Sequence, residues 1–428
     1  MLRAMRMETM LPWIRKSALL GLAAALVSPG IAGRAIGDEP ARTVIMISLD
    51  GTKPADVRAA KLPTLEALAR RGTAATRLVP VFPTNTFPNH VSLVTGVVPA
   101  VHGIVNNAFL DPRRGLFRYS DDPTWIEVEP LWAIAARHGV VSAAHYWVGS
   151  EGPWRNGYGP RYWKAFDIRT PEMEKVEQIL AWLDIESPDD RPRLITSWFR
   201  GADGAGHRHG PGSSEVYAAL RGQDRALARL LEGLDERGAF ETATLLLVSD
   251  HGMAPVARSV DLKAALRAEG IEAGVFGSGG LATVSVPGGA RDVAKVAAAA
   301  RSLGLDARFP GEASQDLPMA NPRFGDVVVL APAGTAISSS TGPPMRGAHG
   351  YPPHGPGMGA LLIAAGGGVC SGCRLPDVRT LDVAPTVLAW HGIAPPVWME
   401  GRPIAGLVSE DTASESGAAL TPSAGDGR

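Results

Sequence analysis

Residues 43–51, TVIMISLDG, form a continuous apolar run that ends at Asp50 and Gly51. An apolar run of this length that stops at an acidic residue and a glycine is typical of a strand buried on both faces of a parallel sheet. The runs 194–199 (LITSWF) and 244–249 (TLLLVS) have the same character, and each ends near an acidic residue. These three runs predict the central strands of an α/β domain.

Amphipathic segments alternate with these strands. Leu62–Arg71 has helical spacing, and Ser213–Arg237 predicts a long helix because its apolar residues fall on one stripe. Leu361–Ala365 is a further apolar strand, and Leu381–Trp390 is a late helix. The alternation predicts an α/β fold, with a mostly parallel sheet flanked by helices on both faces.

The pattern changes in the second half of the chain. Residues 255–345 mix short helices and strands rich in alanine and glycine. We expect them to form a smaller inserted α+β subdomain within one domain that spans residues 40–408. Residues 409–428 are small and polar, and they predict a disordered tail because they cannot bury enough apolar surface to fold.

The N-terminus has the order of a secretory signal peptide. Basic residues precede the apolar run Ser17–Val27, and small residues follow it. The run is shorter than the roughly 20 residues of a membrane span, so we expect residues 1–35 to be a signal peptide. The protein would then be exported, periplasmic or secreted, with an uncleaved anchor as the alternative and no transmembrane segment in the mature chain. In an exported chain, Cys370 and Cys373 are best interpreted as a local disulfide.

The overall charge indicates no nucleic-acid-binding surface. The 428 residues carry a formal net charge of -1, so no field of one sign extends over the protein. An anionic substrate would therefore be held locally, by metal ions or by a few placed donors. The composition gives no indication of the oligomeric state.

Acidic residues and histidines cluster where predicted strands end. Ligands of open α/β sheets bind beyond the carboxyl ends of the strands, so side chains at these ends can converge. Each acidic residue alone could simply cap a helix. Three aspartates and three histidines together are the oxygen and nitrogen ligands that two catalytic zinc ions need. The six are Asp50, Asp203 and His207 in DGAGH, Asp250 and His251, and His349 in GAHGY.

A candidate nucleophile lies in FPTNTFPNHVSLV, residues 82–94. Pro88 and the amphipathic run after it predict the start of a helix, with proline in its first turn. Thr86 lies just ahead, where free backbone N–H groups and the helix dipole favour an anion. Bound to zinc, its hydroxyl would lose a proton far more easily. The alternative is that Thr84 or Thr86 only caps the helix, and the local pattern leaves both open.

Five strings occur in the order ISLDG, FPTNTFPNHVSLVTGVVPAVHGIVNN, DGAGHRHGP, VSDHGM and GAHGY. Together they resemble the nucleotide pyrophosphatase/phosphodiesterase family of the alkaline phosphatase superfamily, and in particular its bacterial exported members. The resemblance covers roughly residues 43–405 and implies an alkaline-phosphatase-like fold that holds two zinc ions.

The resemblance also implies roles for individual residues. Thr86 would be the nucleophile, bound between the metals, and Asn107 would donate to a phosphoryl oxygen together with the Phe87 N–H. Phe87 and Trp198 would line a substrate pocket, although the family usually has tyrosine at the Trp198 position. One zinc would be held by Asp203, His207 and His349, and the other by Asp50, Asp250 and His251.

The implied activity is zinc-dependent hydrolysis of phosphodiester or pyrophosphate bonds in small, nucleotide-like molecules through a covalent phosphothreonine. No basic residue stands beside Thr86 to bind the extra charge of a monoester, and apolar Phe87 suits a second ester group. Diesters are therefore favoured. The alternatives are a phosphomonoesterase or a phospholipid-headgroup phosphodiesterase on the same two-metal scaffold, and a non-catalytic metal-binding module.

Two further features have open interpretations. His90 follows Thr86 by one helical turn, and we expect it to pack inside the helix–turn segment, with a supporting role to a metal ligand as the alternative. Aromatic residues also cluster in a glycine- and proline-rich loop, as a packed surface loop or as a wall of the substrate pocket. They are Trp154, Tyr158, Tyr162 and Trp163.

Overall fold

The computed structural model describes residues 42–312, 317–338 and 344–408. The predicted signal peptide (1–35) and the predicted disordered tail (409–428) lie outside these residues and stay predictions. Within the described ranges, no helix combines the length and the apolar character that crossing a membrane requires. Cys370 and Cys373 form the expected disulfide.

The strands are short, as is usual in an α/β protein. In chain order they are β1 (Thr43–Leu49), β2 (Thr73–Ala75), β3 (Leu78–Val79), β4 (Ala108–Asp111), β5 (Gly115–Arg118), β6 (Ser142–His145), β7 (Tyr162–Lys164), β8 (Leu194–Phe199), β9 (Ala243–Val248), β10 (Ala254–Pro255), β11 (Arg258–Asp261), β12 (Gly274–Phe276), β13 (Leu281–Ser285), β14 (Asp306–Arg308), β15 (Val327–Leu330), β16 (Thr335–Ser338), β17 (Gly347–Ala348), β18 (Leu362–Gly366), β19 (Arg374–Leu375) and β20 (Val378–Arg379).

The helices follow the strands in alternation through the first half of the chain. They are α1 (Pro54–Ala59), α2 (Pro63–Arg71), α3 (Thr86–Thr95), α4 (Pro99–His102), α5 (Leu131–Arg137), α6 (Glu172–Leu183), α7 (Gly201–His209), α8 (Ser214–Glu236), α9 (Leu262–Ala268), α10 (Ala290–Ser302) and α11 (Val383–Trp390).

The central sheet has the strand order β19-β2-β18-β9-β1-β8-β6-β7. The five strands from β9 to β7 run parallel, and β18 pairs with β9 antiparallel. Ser48 of β1 lies opposite Trp198 of β8 and Val248 of β9. Because these three strands are parallel and in register, their carboxyl ends lie at the same edge of the sheet.

Helices cover both faces of this sheet, which confirms the predicted α/β fold. On one face, Ile45 and Ile47 of β1 pack with Leu227 of α8, and on the other Met46 packs with Val387 of α11. All five of these side chains are fully buried. Burial of each is worth roughly 1.5–3 kcal/mol against the exposed state, so the two apolar layers hold the strand ends in place.

A second sheet lies between residues 274 and 330, within the range predicted for the inserted subdomain. Its order is β12-β13-β15-β14, all antiparallel, and α9 and α10 pack on it around their own apolar core. The boundaries of the subdomain stay a prediction. One link between it and the centre is the β10–β17 pair, where Ala254 lies opposite Ala348. That pairing carries His349 back to the segment that follows His251.

Candidate metal and catalytic centre

Asp50, Asp250 and His251 form a group that we call the strand-end triad. Asp50 follows β1, and the other two follow β9, so neighbouring parallel strands deliver them to one point. His251 Nε2 lies 3.1 Å from Asp250 Oδ2 and 3.6 Å from Asp50 Oδ1. The three side chains are 1%, 0% and 0% exposed respectively. The triad is therefore enclosed by the sheet.

Asp203, His207 and His349 form a second group, the helix–loop triad. Asp203 and His207 stand four residues apart on α7, which puts both on one face of the helix. Asp203 Oδ1 lies 3.3 Å from His207 Nε2 and 3.6 Å from His349 Nε2. Their side chains are 16%, 29% and 8% exposed, so this triad is more accessible than the strand-end triad.

Each of the three histidines has its Nδ1 atom against a backbone carbonyl oxygen. The distances are 2.9 Å from His207 to Gly347, 2.9 Å from His251 to Gly252, and 3.0 Å from His349 to Thr84. A carbonyl only accepts hydrogen bonds, so each Nδ1 carries a proton, and Nε2 is the atom that each ring can offer to a metal ion. The Nε2 atoms converge, with His207 Nε2 and His349 Nε2 only 3.2 Å apart. This arrangement is the one that orients histidines toward a metal ion.

The carboxylates fit the same interpretation. Asp50 Oδ1, Asp203 Oδ1 and Asp250 Oδ2 are buried without a hydrogen-bond partner among the described residues. Burial, followed by repulsion from Asp250 and Asp203, raises the pKa of Asp50. Burial, followed by His251 and His207, lowers the pKa of His349 and keeps its ring neutral. Buried carboxylate oxygens without a hydrogen bond, close to imidazole Nε2 atoms, are a donor set for divalent cations, and nitrogen with oxygen suits zinc.

The structure thus brings all six predicted ligands together, and Asp203 is the residue that joins the two triads. Its carboxylate, with Asp50 and His251, also forms a group of ligand atoms that lie within 4.8 Å of one another. Gly51 explains the close approach. Its φ of +70° suits glycine, and a Cβ atom built there would lie 3.3 Å from Asp203 Cα.

Thr86 opens onto this centre from the N-terminus of α3. The helix begins at Thr86 itself, with Asn85 as the N-cap, so Pro88 lies in the first turn as predicted and Thr86 is the first helical residue. Thr86 Oγ1 lies 3.2 Å from His251 Nε2, and Thr84 Oγ1 donates to the Tyr351 carbonyl. The N-cap side chain of Asn85 makes no capping hydrogen bond, and the Phe87 N–H in the first turn is bound by Asn107, so the capping alternative for both threonines is wrong.

Asn107 lies beside Thr86 and is fixed by its neighbours. Its Oδ1 accepts from the Phe87 N–H at 2.9 Å, which leaves the amide nitrogen as its donor. The expectation that the Phe87 N–H is free for a phosphoryl oxygen is therefore wrong in this structure. Tyr119, which the sequence pattern did not indicate, donates its N–H to the Asn107 carbonyl and packs edge-on against Phe87 at 5.2 Å.

A pocket of about 550 Å³ joins these residues. Phe87 and Trp198 both line it, and Phe166 stacks on Trp198 with 5.5 Å between ring centroids. Arg118 and Arg200 line it as well. The absence of a basic residue beside Thr86 in the sequence is therefore no argument against monoesters, since folding brings arginines to the pocket from elsewhere.

The four aromatic residues of the 154–163 loop do not line this pocket. The aromatic residues that line it include Tyr119, Tyr146, Trp147 and Phe166. Trp154 donates its ring N–H to the Ile126 carbonyl instead. The interpretation as a packed loop is therefore the one that the contacts favour.

His90 both packs and touches the centre. The ring is fully buried between Trp147 and Trp198, at centroid distances of 5.1 and 5.0 Å. Its Nδ1 lies 2.9 Å from the Thr86 carbonyl oxygen and 3.4 Å from Asp250 Oδ2. His90 and Thr86 are four residues apart in one helix, and this spacing is the sequence feature that indicates their contact.

Comparisons with known proteins agree with this geometry. The profile of the type I phosphodiesterase / nucleotide pyrophosphatase family matches residues 44–352. An uncharacterised pyrophosphatase/phosphodiesterase of Schizosaccharomyces pombe is 41% identical over 221 residues, which are 50% of this chain and 45% of that protein. Human ectonucleotide pyrophosphatase/phosphodiesterase family member 1 is 35% identical over 216 residues, 49% of this chain and 23% of that protein. The chain thus matches less than half the length of these curated relatives.

Solved structures show the same fold. Murine ectonucleotide pyrophosphatase / phosphodiesterase 5 superposes with a TM-score of 0.77 at 22% identity, over 83% of this chain and 96% of that one. A second structure of that protein is an inactive threonine-to-alanine variant in complex with AMP, with the same score and coverage. The narrower likeness to bacterial exported members stays a prediction. The family profile and the fold agree, and the chain belongs to the type I phosphodiesterase / nucleotide pyrophosphatase family.

Proposed function

We propose that this protein hydrolyses phosphodiester or pyrophosphate bonds of nucleotide-like small molecules, with Thr86 as the nucleophile. The observation that carries the proposal is the position of the Thr86 hydroxyl. It stands at the first turn of α3, 3.2 Å from a ligand atom of the strand-end triad, in the pocket that Asp203, His207 and His349 also line. An oxygen nucleophile at a helix N-terminus, beside two groups of metal ligands, suits attack on phosphorus.

The two triads would hold two divalent metal ions, which we propose are zinc because the donors are imidazole nitrogens and carboxylate oxygens. When bound, such ions lower the pKa of a coordinated hydroxyl and stabilise a departing alkoxide. The strand-end triad adjoins Thr86, so it serves the attacking oxygen. The helix–loop triad lines the same pocket and is the more exposed of the two.

The chemistry divides into two displacements. Thr86 Oγ forms a bond to phosphorus while the bond from phosphorus to the leaving oxygen breaks, and the proton of the hydroxyl ends on that alcohol. Water then cleaves the phosphothreonine and restores the hydroxyl. The amide nitrogen of Asn107 would donate to a non-bridging oxygen, which is supported by the Phe87 N–H that occupies its Oδ1. The Phe87 and Trp198 rings offer apolar faces to the organic substituent.

A nucleotide substrate is supported by the family and by the AMP complex of the structural relative. The test compares a nitrophenyl nucleotide diester with nitrophenyl phosphate, using the zinc-loaded protein and the variants Thr86→Ala and Thr86→Ser. We expect faster diester hydrolysis, loss of at least roughly a thousandfold in Thr86→Ala, and partial activity in Thr86→Ser, which keeps a hydroxyl. Undiminished turnover by Thr86→Ala would show that another group attacks phosphorus.

A phosphomonoesterase is the second candidate, because Arg118 and Arg200 line the pocket and could bind the additional charge of a monoester. The same pair of substrates decides between the two. Preference for nitrophenyl phosphate that is lost in Arg118→Gln or Arg200→Gln would favour the monoesterase. Zinc binding without turnover of either compound would favour a binding module.

A further inference from the structure

Helix α7 carries two of the proposed metal ligands but has no cap of its own. Its N-cap residue is Arg200, and a guanidinium group only donates hydrogen bonds. The Arg200 side chain therefore makes no hydrogen bond to the first turn. The first N–H groups of a helix need a partner from outside the helix. Here the partner comes from another helix, α6.

Glu172, the first residue of α6, accepts both hydrogen bonds with one oxygen. Its Oε1 atom receives the N–H of Arg200 at 3.0 Å and the N–H of Gly201 at 3.1 Å. A carboxylate at this end also complements the positive pole of the helix dipole. The direction of α7, and with it the face that carries Asp203 and His207, is thus set partly by Glu172.

Lys175 of the same helix also contacts this turn. It lies one helical turn after Glu172, with its Nζ atom 3.2 Å from Glu172 Oε2, and it donates to the Trp198 carbonyl at 2.8 Å. Its side chain is 4% exposed and has the rings of Tyr146 and Phe199 within 6 Å of the ammonium group. The pair therefore fixes the backbone at residues 198, 200 and 201.

This turn connects the pocket wall to both triads. The Trp198 ring N–H donates to Asp50 Oδ2 at 2.9 Å, which turns the unpartnered Oδ1 of Asp50 toward His251. Two residues beyond Gly201, Asp203 enters the helix–loop triad. A displacement of the turn by a few tenths of an ångström would thus move one ligand of each triad.

We propose that Glu172 and Lys175 are positioning residues, which hold the turn 198–201 so that Asp50 and Asp203 face their metal ions. The proposal rests on the proposed function for its catalytic consequence, but its effect on metal retention stands apart from activity. A partly buried ion pair contributes little net stability against an apolar pair of the same volume, so a role in orientation accounts for its place here.

The test measures zinc release from the loaded full-length protein to a chromogenic chelator. The variants are Glu172→Ala and Lys175→Met, and the control is Glu174→Ala, an exposed acidic residue on the same helix. Because residues that orient metal ligands typically change metal affinity by about 10–100-fold, we expect at least about tenfold faster release from both variants and wild-type release from the control. Glu172→Gln keeps a carbonyl acceptor for the two N–H groups and should recover most of the retention.

Measurements of stability and activity distinguish a loss of positioning from a loss of folding. Far-UV circular dichroism and Tm establish that each variant is folded, and a fall in kcat with little change in KM is expected for the diester substrate. Folded variants that release zinc as slowly as Glu174→Ala would overturn the proposal, even with a lowered Tm. If either single variant does not fold, the double variant Glu172→Ala/Lys175→Met decides by the same comparison, because it leaves no unpaired buried charge. A wild-type protein without diesterase activity would refute the proposed function, while the zinc-release comparison would still test positioning.

Discussion

The two triads contain the same donor types in different surroundings. The strand-end triad is at most 1% exposed and is built on adjacent parallel strands of the central sheet. The helix–loop triad is 8–29% exposed and combines a helix with a residue that arrives by a distant strand pair. The triad that adjoins Thr86 is thus the enclosed one, and the helix–loop triad is the more accessible one. We infer that metal ions held at the two triads would exchange at different rates.

Metal removal should show the largest effect and test this comparison directly. A chelator is expected to abolish diester hydrolysis, in parallel with a fast phase of zinc release from the helix–loop triad, because solvent reaches that triad first. A slow phase from the strand-end triad should follow. His207→Ala should remove the fast phase and Asp250→Asn the slow one. A single phase, or loss of the slow phase in His207→Ala, would mean that enclosure does not set the exchange rate.

The next largest effect is expected for Asp250→Asn. Loss of a ligand removes several kcal/mol of charge stabilisation, and each factor of ten in rate is about 1.4 kcal/mol, so kcat should fall by roughly a thousandfold. Without metal, the same variant should be less stable than the wild type, because Asp250 Oδ2 lies 3.1 Å from His251 Nε2 and, although burial alone would raise the pKa of Asp250, His251 and His90 lower it. Tm of both proteins, with zinc and after chelation, checks this expectation. A higher Tm for the metal-free variant would show that the repulsion between Asp250 and Asp50 outweighs the pairing of Asp250 with His251.

The two triads also differ in how far the sequence predicts them. Asp50, Asp250 and His251 follow strands, and the parallel sheet brings such positions to one edge. Asp203 and His207 have the spacing of one helix face. His349 in GAHGY has no such local pattern, since the β10–β17 pairing places it, and the sequence indicated it by its residue type and by the family resemblance. The other five positions follow from strand ends and helix spacing, whereas the place of His349 depends on a long-range contact.

The substrate pocket was the part that the sequence predicted least. Arg118 and Arg200 come from a hairpin and a strand end, and neither is near Thr86 in the chain. Tyr119 follows the hairpin and has a φ of +46°, and no sequence pattern predicted this conformation. Side chains of loops and hairpin ends are placed by tertiary packing, so adjacency in the chain is a poor guide to which of them line a pocket.

A smaller effect is expected at Trp198, which belongs to the pocket and also supports the strand-end triad. Trp198→Phe keeps an aromatic face toward Phe166 but loses the ring N–H that donates to Asp50 Oδ2. We expect about tenfold faster release of the slow zinc and a matching fall in kcat, with KM nearly unchanged. Trp163→Phe, on an exposed side chain outside the pocket, is the control. A rise in KM with unchanged zinc release would confine Trp198 to substrate binding.

The smallest expected effect lies at Gly51, where the backbones of the two triads meet. Gly51→Ala places a methyl group at a φ of +70° and brings it within 3.3 Å of Asp203 Cα. Left-handed backbone costs a residue with a Cβ about 1–2 kcal/mol, and the contact adds to this cost by pushing Asp203 away from Asp50. Gly139→Ala is the matched control, because Gly139 has a φ of +74° and no atom within 4 Å of a built Cβ. Both variants should lose stability in urea unfolding, and only Gly51→Ala should also release zinc faster. Equal zinc release from the two variants would mean that the triads tolerate a shift of this backbone contact. The Asp203 side chain alone would then connect them.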